Sequence, residues 1–162
     1  MSGKRDPLLD AVDGFVRQSP TPWQQILERT LEHFDCPLGT IHVLGASGEL
    51  ELVAQRGLPD AVVAKVTRVP IGRGMAGIAA ERKEPVQVCN LQSDDSGVVR
   101  PGAKLTQMEG SIACPMLLDG DVRGVLGVAK PVPYEFTKVE TDLLKTVGAT
   151  LARVVTTGPV AG

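Results

Sequence analysis

The densest chemical signal in the chain is Gly72-Arg-Gly-Met-Ala-Gly77. It fits the pattern Gly-x-Gly-x-x-Gly, and Asp94 and Asp95 stand about twenty residues on, where a dinucleotide site keeps its ribose acid. Glycines at that spacing let backbone approach a pyrophosphate, and a helix N-terminus then favours the negative charge. The same glycines have a plainer use, letting a short helix lie close on a sheet. Between the two stands a small-anion site, where free N–H groups at a helix start act with the Arg73 charge. Context argues against the dinucleotide. No βαβ unit surrounds these glycines, and the strands that follow read as a hairpin.

The thiols are the second group. Cys36, Cys89 and Cys114 are an odd number at wide spacing, which fits a reduced cytoplasmic setting better than a disulfide framework. Cys89 and Cys114 fall on expected strands, where a cysteine is ordinarily a small buried hydrophobe. Nucleophilic thiols need an exposed, electropositive setting. His33-x-x-Cys36 lacks the second ligand pair of a zinc site, and His42 lies on an expected strand, so both histidines read as satisfied structural residues. Asp94 and Asp95 read as solvated turn residues, which leaves no metal site.

What positions these groups follows from pattern. With 162 residues and 43% hydrophobic content, the chain supports one core and one domain. Seventeen basic and 19 acidic side chains give a net charge of −2 with no basic stripe. Aromatic residues make up only 3%, so a nucleic-acid surface built on stacking is not expected. The N-terminal segment has no signal-peptide core and no apolar run reaches membrane-span length, so no membrane association is expected.

Leu8, Leu9, Val12, Phe15 and Val16 predict an amphipathic helix ending before Pro20. Thr21-Pro-Trp-Gln24 reads as a capping box opening a second helix, striped by Trp23, Ile26, Leu27, Leu31 and Phe34. Two strands, 39–44 and 50–55, flank the turn Gly45–Gly48. A short helix capped by Asp60 follows, then the glycine-punctuated helix, then a strand at Val86–Cys89. The stretch 90–109 is polar and aperiodic. At the centre, Asp119-Gly120 joins two apolar runs, and Asp-Gly signals a type I′ hairpin. Arms apolar on both faces belong in mid-sheet. Thr137-x-x-Glu140 caps a final helix bearing Leu144, Val147, Leu151 and Val154 at heptad-like spacing. Hairpins without βαβ crossovers predict an antiparallel α+β domain.

This pattern resembles the GAF domain over roughly Trp23 to Val154. The resemblance rests on Val69-Pro-Ile-Gly-Arg-Gly-Met-Ala-Gly77, Ser111-Ile-Ala-Cys-Pro-Met116, Gly124-Val-Leu-Gly-Val-Ala-Lys130 and Phe136-Thr-Lys-Val-Glu140. It implies a central antiparallel sheet of about six strands with the N- and C-terminal helices on one face. Short helices and loops would lie over a pocket on the other face. The expected division is an N-terminal helical extension over 1–20, the domain over 21–157 and a tail over 158–162. The implied role is a non-catalytic sensor, with no cofactor, that signals through a partner protein. Pocket residues expected beneath helix 73–80 and loop 90–109 are Arg73, Met75, Ile78, Asn90, Met108, Ser111 and Ala113. Alternatives are an interaction protein whose pocket is filled by its own side chains, and a free methionine-(R)-sulfoxide reductase. The reductase resemblance would place cysteines at Ala76 and near Lys104, where there are none. The family's cyclic-nucleotide pattern matches at Lys130 and Phe136 and departs at Ala129, Glu140 and Thr141, and residues 98–109 lack the Cys-His pair of a bilin site. GAF domains commonly pair through terminal helices, so the apolar surplus on the last helix predicts a parallel homodimer.

Overall fold

The computed structural model describes residues 6–93 and 106–155. The element order is α1 (Pro7–Val16), α2 (Trp23–Phe34), β1 (Leu38–Leu44), β2 (Leu50–Arg56), α3 (Asp60–Val66), β3 (Arg68–Val69), α4 (Gly74–Arg82), β4 (Val86–Val88), β5 (Gly110–Leu118), β6 (Asp121–Lys130) and α5 (Lys138–Ala152). One antiparallel sheet carries the strands in the order β3-β2-β1-β6-β5-β4. The expected six-stranded α+β architecture is therefore the observed one. The two-residue β3 and its edge position were not legible, because so short a run shows no period.

The β5–β6 hairpin sits in mid-sheet, with β4 on one side and β1 on the other. Asp119 and Gly120 both have positive φ, 52° and 83°, as a type I′ turn requires. Register slips by one residue after Met116, where Met116 opposes Gly124 and Leu117 opposes Val122. Arg123 is the extra residue of that bulge. Gly124 is obligatory for packing: a Cβ there would collide with the His42 carbonyl oxygen of β1.

Alternation divides the sheet into two faces. Ile112, Cys114, Met116, Leu126, Val128 and Ile41 join α1, α2 and α5 in the larger core. Val125, Ala113 and Leu50 join the α4 residues Ala79 and Ala80 in a smaller cluster on the other face. Leu8 and Val12 of α1 are fully buried beside Leu144, Val147 and Leu151 of α5. Leu144, Val147 and Leu151 of the seam from which a homodimer is expected are thus buried between the sheet and the chain's own first helix, while Val154 stays half-buried. The outward side of α5 presents Asp142, Lys145 and Thr146 together with the exposed Val139.

Two expected caps differ. Thr21 does not cap α2; the helix starts after Pro22 without a side-chain cap. Gln24, its expected partner, instead donates to the Gln55 carbonyl at 2.9 Å and accepts from the Gln55 N–H at 3.3 Å. A strand edge with open backbone groups outcompetes the local turn. Asp60 is the first residue of α3 rather than its cap, which is Pro59. The α5 box forms as expected: Glu140 N–H donates to Thr137 Oγ1 at 3.1 Å, and Thr137 N–H to Glu140 Oε1 at 2.9 Å.

Gly120→Val is expected to destabilise by more than about 1 kcal/mol, because a β-branched side chain resists positive φ. The space around Gly120 is open, so the loss is purely backbone strain. Denaturant titration showing no loss would contradict the turn assignment. Leu151→Glu is expected to unfold the protein or cost about 3 kcal/mol or more, not to release a folded monomer, since it buries a charge in the core. A well-folded variant by thermal melt would show that α5 is not packed as described.

Candidate functional site

Between the sheet and the α3–α4 layer lies a cavity of about 580 Å³. Its floor is the sheet face opposite the main core: Leu38, Thr40 and His42 of β1, Ser111 of β5 and Ala129 of β6. Ser111 and Ala129 are direct partners across the β5–β6 ladder. Its roof is Val62, Lys65 and Val66 of α3, Val69 of β3, and the segment Arg73–Ala76. Leu91 and Thr106 close one side.

The glycine motif builds the roof. Gly72 and Gly74 adopt positive φ, 91° and 68°, and a Cβ on Gly77 would collide with the Pro70 carbonyl oxygen. The loop closes on itself, with Gly72 N–H donating to the Gly77 carbonyl at 2.8 Å and Gly77 N–H to the Arg73 carbonyl at 3.1 Å. These glycines therefore shape a turn into α4 over an antiparallel sheet, where the dinucleotide arrangement needs a parallel crossover. Arg73, at the N-cap of α4, makes no side-chain cap hydrogen bond, and Gly74, Met75 and Ala76 of the first turn line the cavity. Arg73 and Lys65 are exposed at the same site. Uncapped N–H groups and two cations make this end of the cavity electropositive.

His42 sits at the floor, 2% exposed. Its Nε2 lies 2.8 Å from the Val66 carbonyl oxygen, while its buried Nδ1 has no partner in the protein. The expectation of a satisfied structural histidine holds for one ring nitrogen only. Burial holds its pKa below the ordinary 6.5, although the bond to Val66 acts in the opposite direction.

Of the expected pocket residues, the structure brings Arg73, Met75 and Ser111 to the cavity. Ile78 and Ala113 pack beneath α4 in the smaller cluster, away from the lining. Asn90 and Met108 shape the neighbouring loop: Asn90 Oδ1 accepts from the Gln92 N–H at 2.9 Å, and the Met108 carbonyl accepts from Gln92 Nε2 at 2.8 Å. The polar residues that sequence reasoning missed are Thr40, His42, Lys65 and Thr106. Period-2 alternation along β1 could have placed Thr40 and His42 on one face. Asp94, Asp95, Lys104 and the tail from 158 lie outside the described residues.

All three thiols lie away from this cavity. Cys36 and Cys114 are in the main core, where burial pushes their pKa up to about 11 and about 12. Cys89 is exposed, contrary to the expected buried strand position. Val86 and Val88 point inward, so alternation turns Gln87 and Cys89 outward. Among the described residues no cluster of His, Cys, Asp and Glu could hold a metal ion, and no helix is long and apolar enough to cross a membrane. A second depression of about 620 Å³ opens beside the C-terminal end of α2. At its edge Lys130 Nζ donates to the carbonyls of Phe34, at 2.7 Å, and Asp35, at 3.3 Å.

Because His42 is held neutral in the fold, acid favours the unfolded chain. Its contribution is intact above about pH 6.5 and is lost as pH falls from there toward the lowered native value. Denaturant titrations from pH 7.5 downward should show this loss in wild type and in His33→Asn, and a smaller loss in His42→Gln. Equal acid sensitivity in His42→Gln would contradict a buried neutral imidazole.

The family profile of the GAF domain matches residues 23–156. A comparison with curated protein sequences finds no match. Among solved structures, the chain is similar to the GAF domain of the Acinetobacter phosphoenolpyruvate-protein phosphotransferase, with 19% identity and a TM-score of 0.77, covering 96% of this chain and 94% of that one. The corresponding Coxiella burnetii domain gives 22% identity and a TM-score of 0.77, with 91% and 90% covered. The free methionine-R-sulfoxide reductase of Neisseria meningitidis, solved with its substrate, gives 19% and 0.71, with 96% and 93% covered. At these identities the structural likeness establishes the fold, which sensor domains and reductases share. With its profile match over most of its length, the chain belongs to the GAF domain family.

Proposed function

We propose that this GAF domain is a non-catalytic sensor that holds a small anionic molecule in the cavity between the sheet and α4. The observation that carries this reading is the cavity's composition. Its walls are mostly aliphatic, its electropositive end combines Arg73, Lys65 and the uncapped first turn of α4, and no thiol lines it. A volume of about 580 Å³ lies within the range of small-molecule sites. Ligand binding there would bear on α3 and α4, through which the bound state would pass to a partner protein.

The reductase reading has fold similarity on its side and lacks its chemistry here. A thiol mechanism needs a thiolate within reach of the sulfoxide. Two of the three cysteines are buried in the opposite core, and the exposed one lies outside the lining. Incubation with free methionine sulfoxide and a thiol reductant should give no turnover above the protein-free rate. Measurable turnover lost in Cys89→Ser would overturn the sensor reading.

Native mass spectrometry of freshly purified protein is expected to show added mass from a retained molecule. Arg73→Ala should abolish the thermal stabilisation given by small carboxylates while moving the ligand-free melting temperature by less than about 2 °C, as suits an exposed side chain. An equal loss of ligand-free stability would instead make Arg73 structural.

A further inference from the structure

We infer that the cavity selects an amine-free aliphatic acid, with or without a further carbonyl, over the amino acid of the same carbon skeleton. This deepens the ligand-binding reading above and rests on it. Among the described residues, the charged groups lining the cavity are Lys65 and Arg73, both cations, and the lining holds no aspartate, glutamate, asparagine or glutamine. Its other polar side chains are the hydroxyls of Thr40, Thr106 and Ser111 and the His42 ring. Both nitrogens of that ring are closed to an occupant. Nε2 lies 2.8 Å from the Val66 carbonyl oxygen, and Nδ1 is buried. The backbone adds few acceptors. The floor strands β1, β6 and β5 each have a strand on both sides, so their carbonyls are spent in the ladders, and His42 takes the one from Val66.

A lining of this kind treats the two ends of a zwitterion unequally. A carboxylate meets two cations and the first turn of α4, whose N-cap residue supplies no side-chain cap. A carbonyl oxygen can accept from the hydroxyls of Thr40 and Ser111, both half-buried. These two stand opposite Gly127 and Ala129 of the strand between them, so small residues separate them on the floor. An ammonium meets neither a carboxylate nor a side-chain amide. The hydroxyls can accept its hydrogens, yet they carry no charge to balance it, and Lys65 and Arg73 repel it. The desolvation of that ammonium therefore goes uncompensated. Leu38, Val62, Val69 and Leu91 receive a hydrocarbon body. Free methionine sulfoxide is itself an amino acid, so the lining disfavours it independently of where the thiols lie.

The test titrates the intact chain at about pH 7, where an α-amine is protonated, with matched sets on one carbon skeleton from butanoate to octanoate. Each set holds the acid, its 2-oxo acid and its 2-amino acid. At the best length the acid and the oxo acid should each bind at least about tenfold more tightly than the amino acid. Ser111→Asp sets a carboxylate on the floor and should invert that order, weakening both acids and strengthening the amino acid. Ser111→Asn, of like size and uncharged, should keep the wild-type order; the same inversion there would assign the preference to shape and overturn the inference. If Ser111→Asp does not fold, the wild-type titrations decide. An amino acid bound as tightly as its amine-free partners overturns the inference. A retained molecule that native mass spectrometry identifies as an amine also overturns it, while the ligand-binding reading stands. Failure of all three compounds at every length, alongside a retained molecule, has the same result. No compound bound and no retained mass would overturn both.

Discussion

A sheet whose central strands are apolar on both faces has to be covered twice, and the rest of the molecule follows from that constraint. The β5–β6 hairpin buries apolar side chains on both sides, with Ile112, Cys114 and Met116 facing one way and Ala113 and Val125 the other. On the first face three helices complete the cover. α5 lies on β5 and β6, and α1 closes the far side of α5 with Leu8 and Val12. A stripe that would be sticky on an isolated helix becomes core, which is the usual fate of apolar surface when a covering element is within reach of the chain.

The second face is covered less completely. α3 has seven residues and α4 has nine, and small side chains at Ala76, Gly77, Ala79 and Ala80 let α4 approach the sheet at one end only. Where α4 packs, Ala113, Val125 and Leu50 are buried. Where it begins, the roof lifts and the cavity opens over β1. The geometry that leaves space also places the start of α4, whose N-cap residue supplies no side-chain cap, at the edge of that space. Cavity and electropositive end thus share one origin in the glycine turn between β3 and α4.

The C-terminal motif works on the other side of the molecule. Lys130 reaches the carbonyls that end α2 and lies 4.8 Å from the Tyr134 ring centroid, and the Tyr134 hydroxyl donates to Glu140 at 2.8 Å. These residues join the end of β6 to α2 and α5. Residues resembling a cyclic-nucleotide signature therefore fasten helices together, on the opposite side from the cavity.

The sequence by itself determined whatever depends on near neighbours. Asp119-Gly120 dictates a turn because only residues tolerant of positive φ can occupy it, and Thr137 with Glu140 dictates a helix start because both partners lie within one turn. Strand periods fixed the two faces, and with them the antiparallel α+β domain, whereas the expectation that Arg73, Met75 and Ser111 border a pocket came from the family resemblance. Only the tertiary structure decided which open backbone group each side chain would find. Gln24 left its expected capping role for β2, 31 residues away, because that strand edge offered both a donor and an acceptor. His42 met Val66 across 24 residues, a contact that assigns one ring nitrogen and leaves the other buried without a partner. Spacing along a chain fixes angular position on its own element. The partner of a buried polar atom is fixed by packing between elements, and no local pattern encodes it.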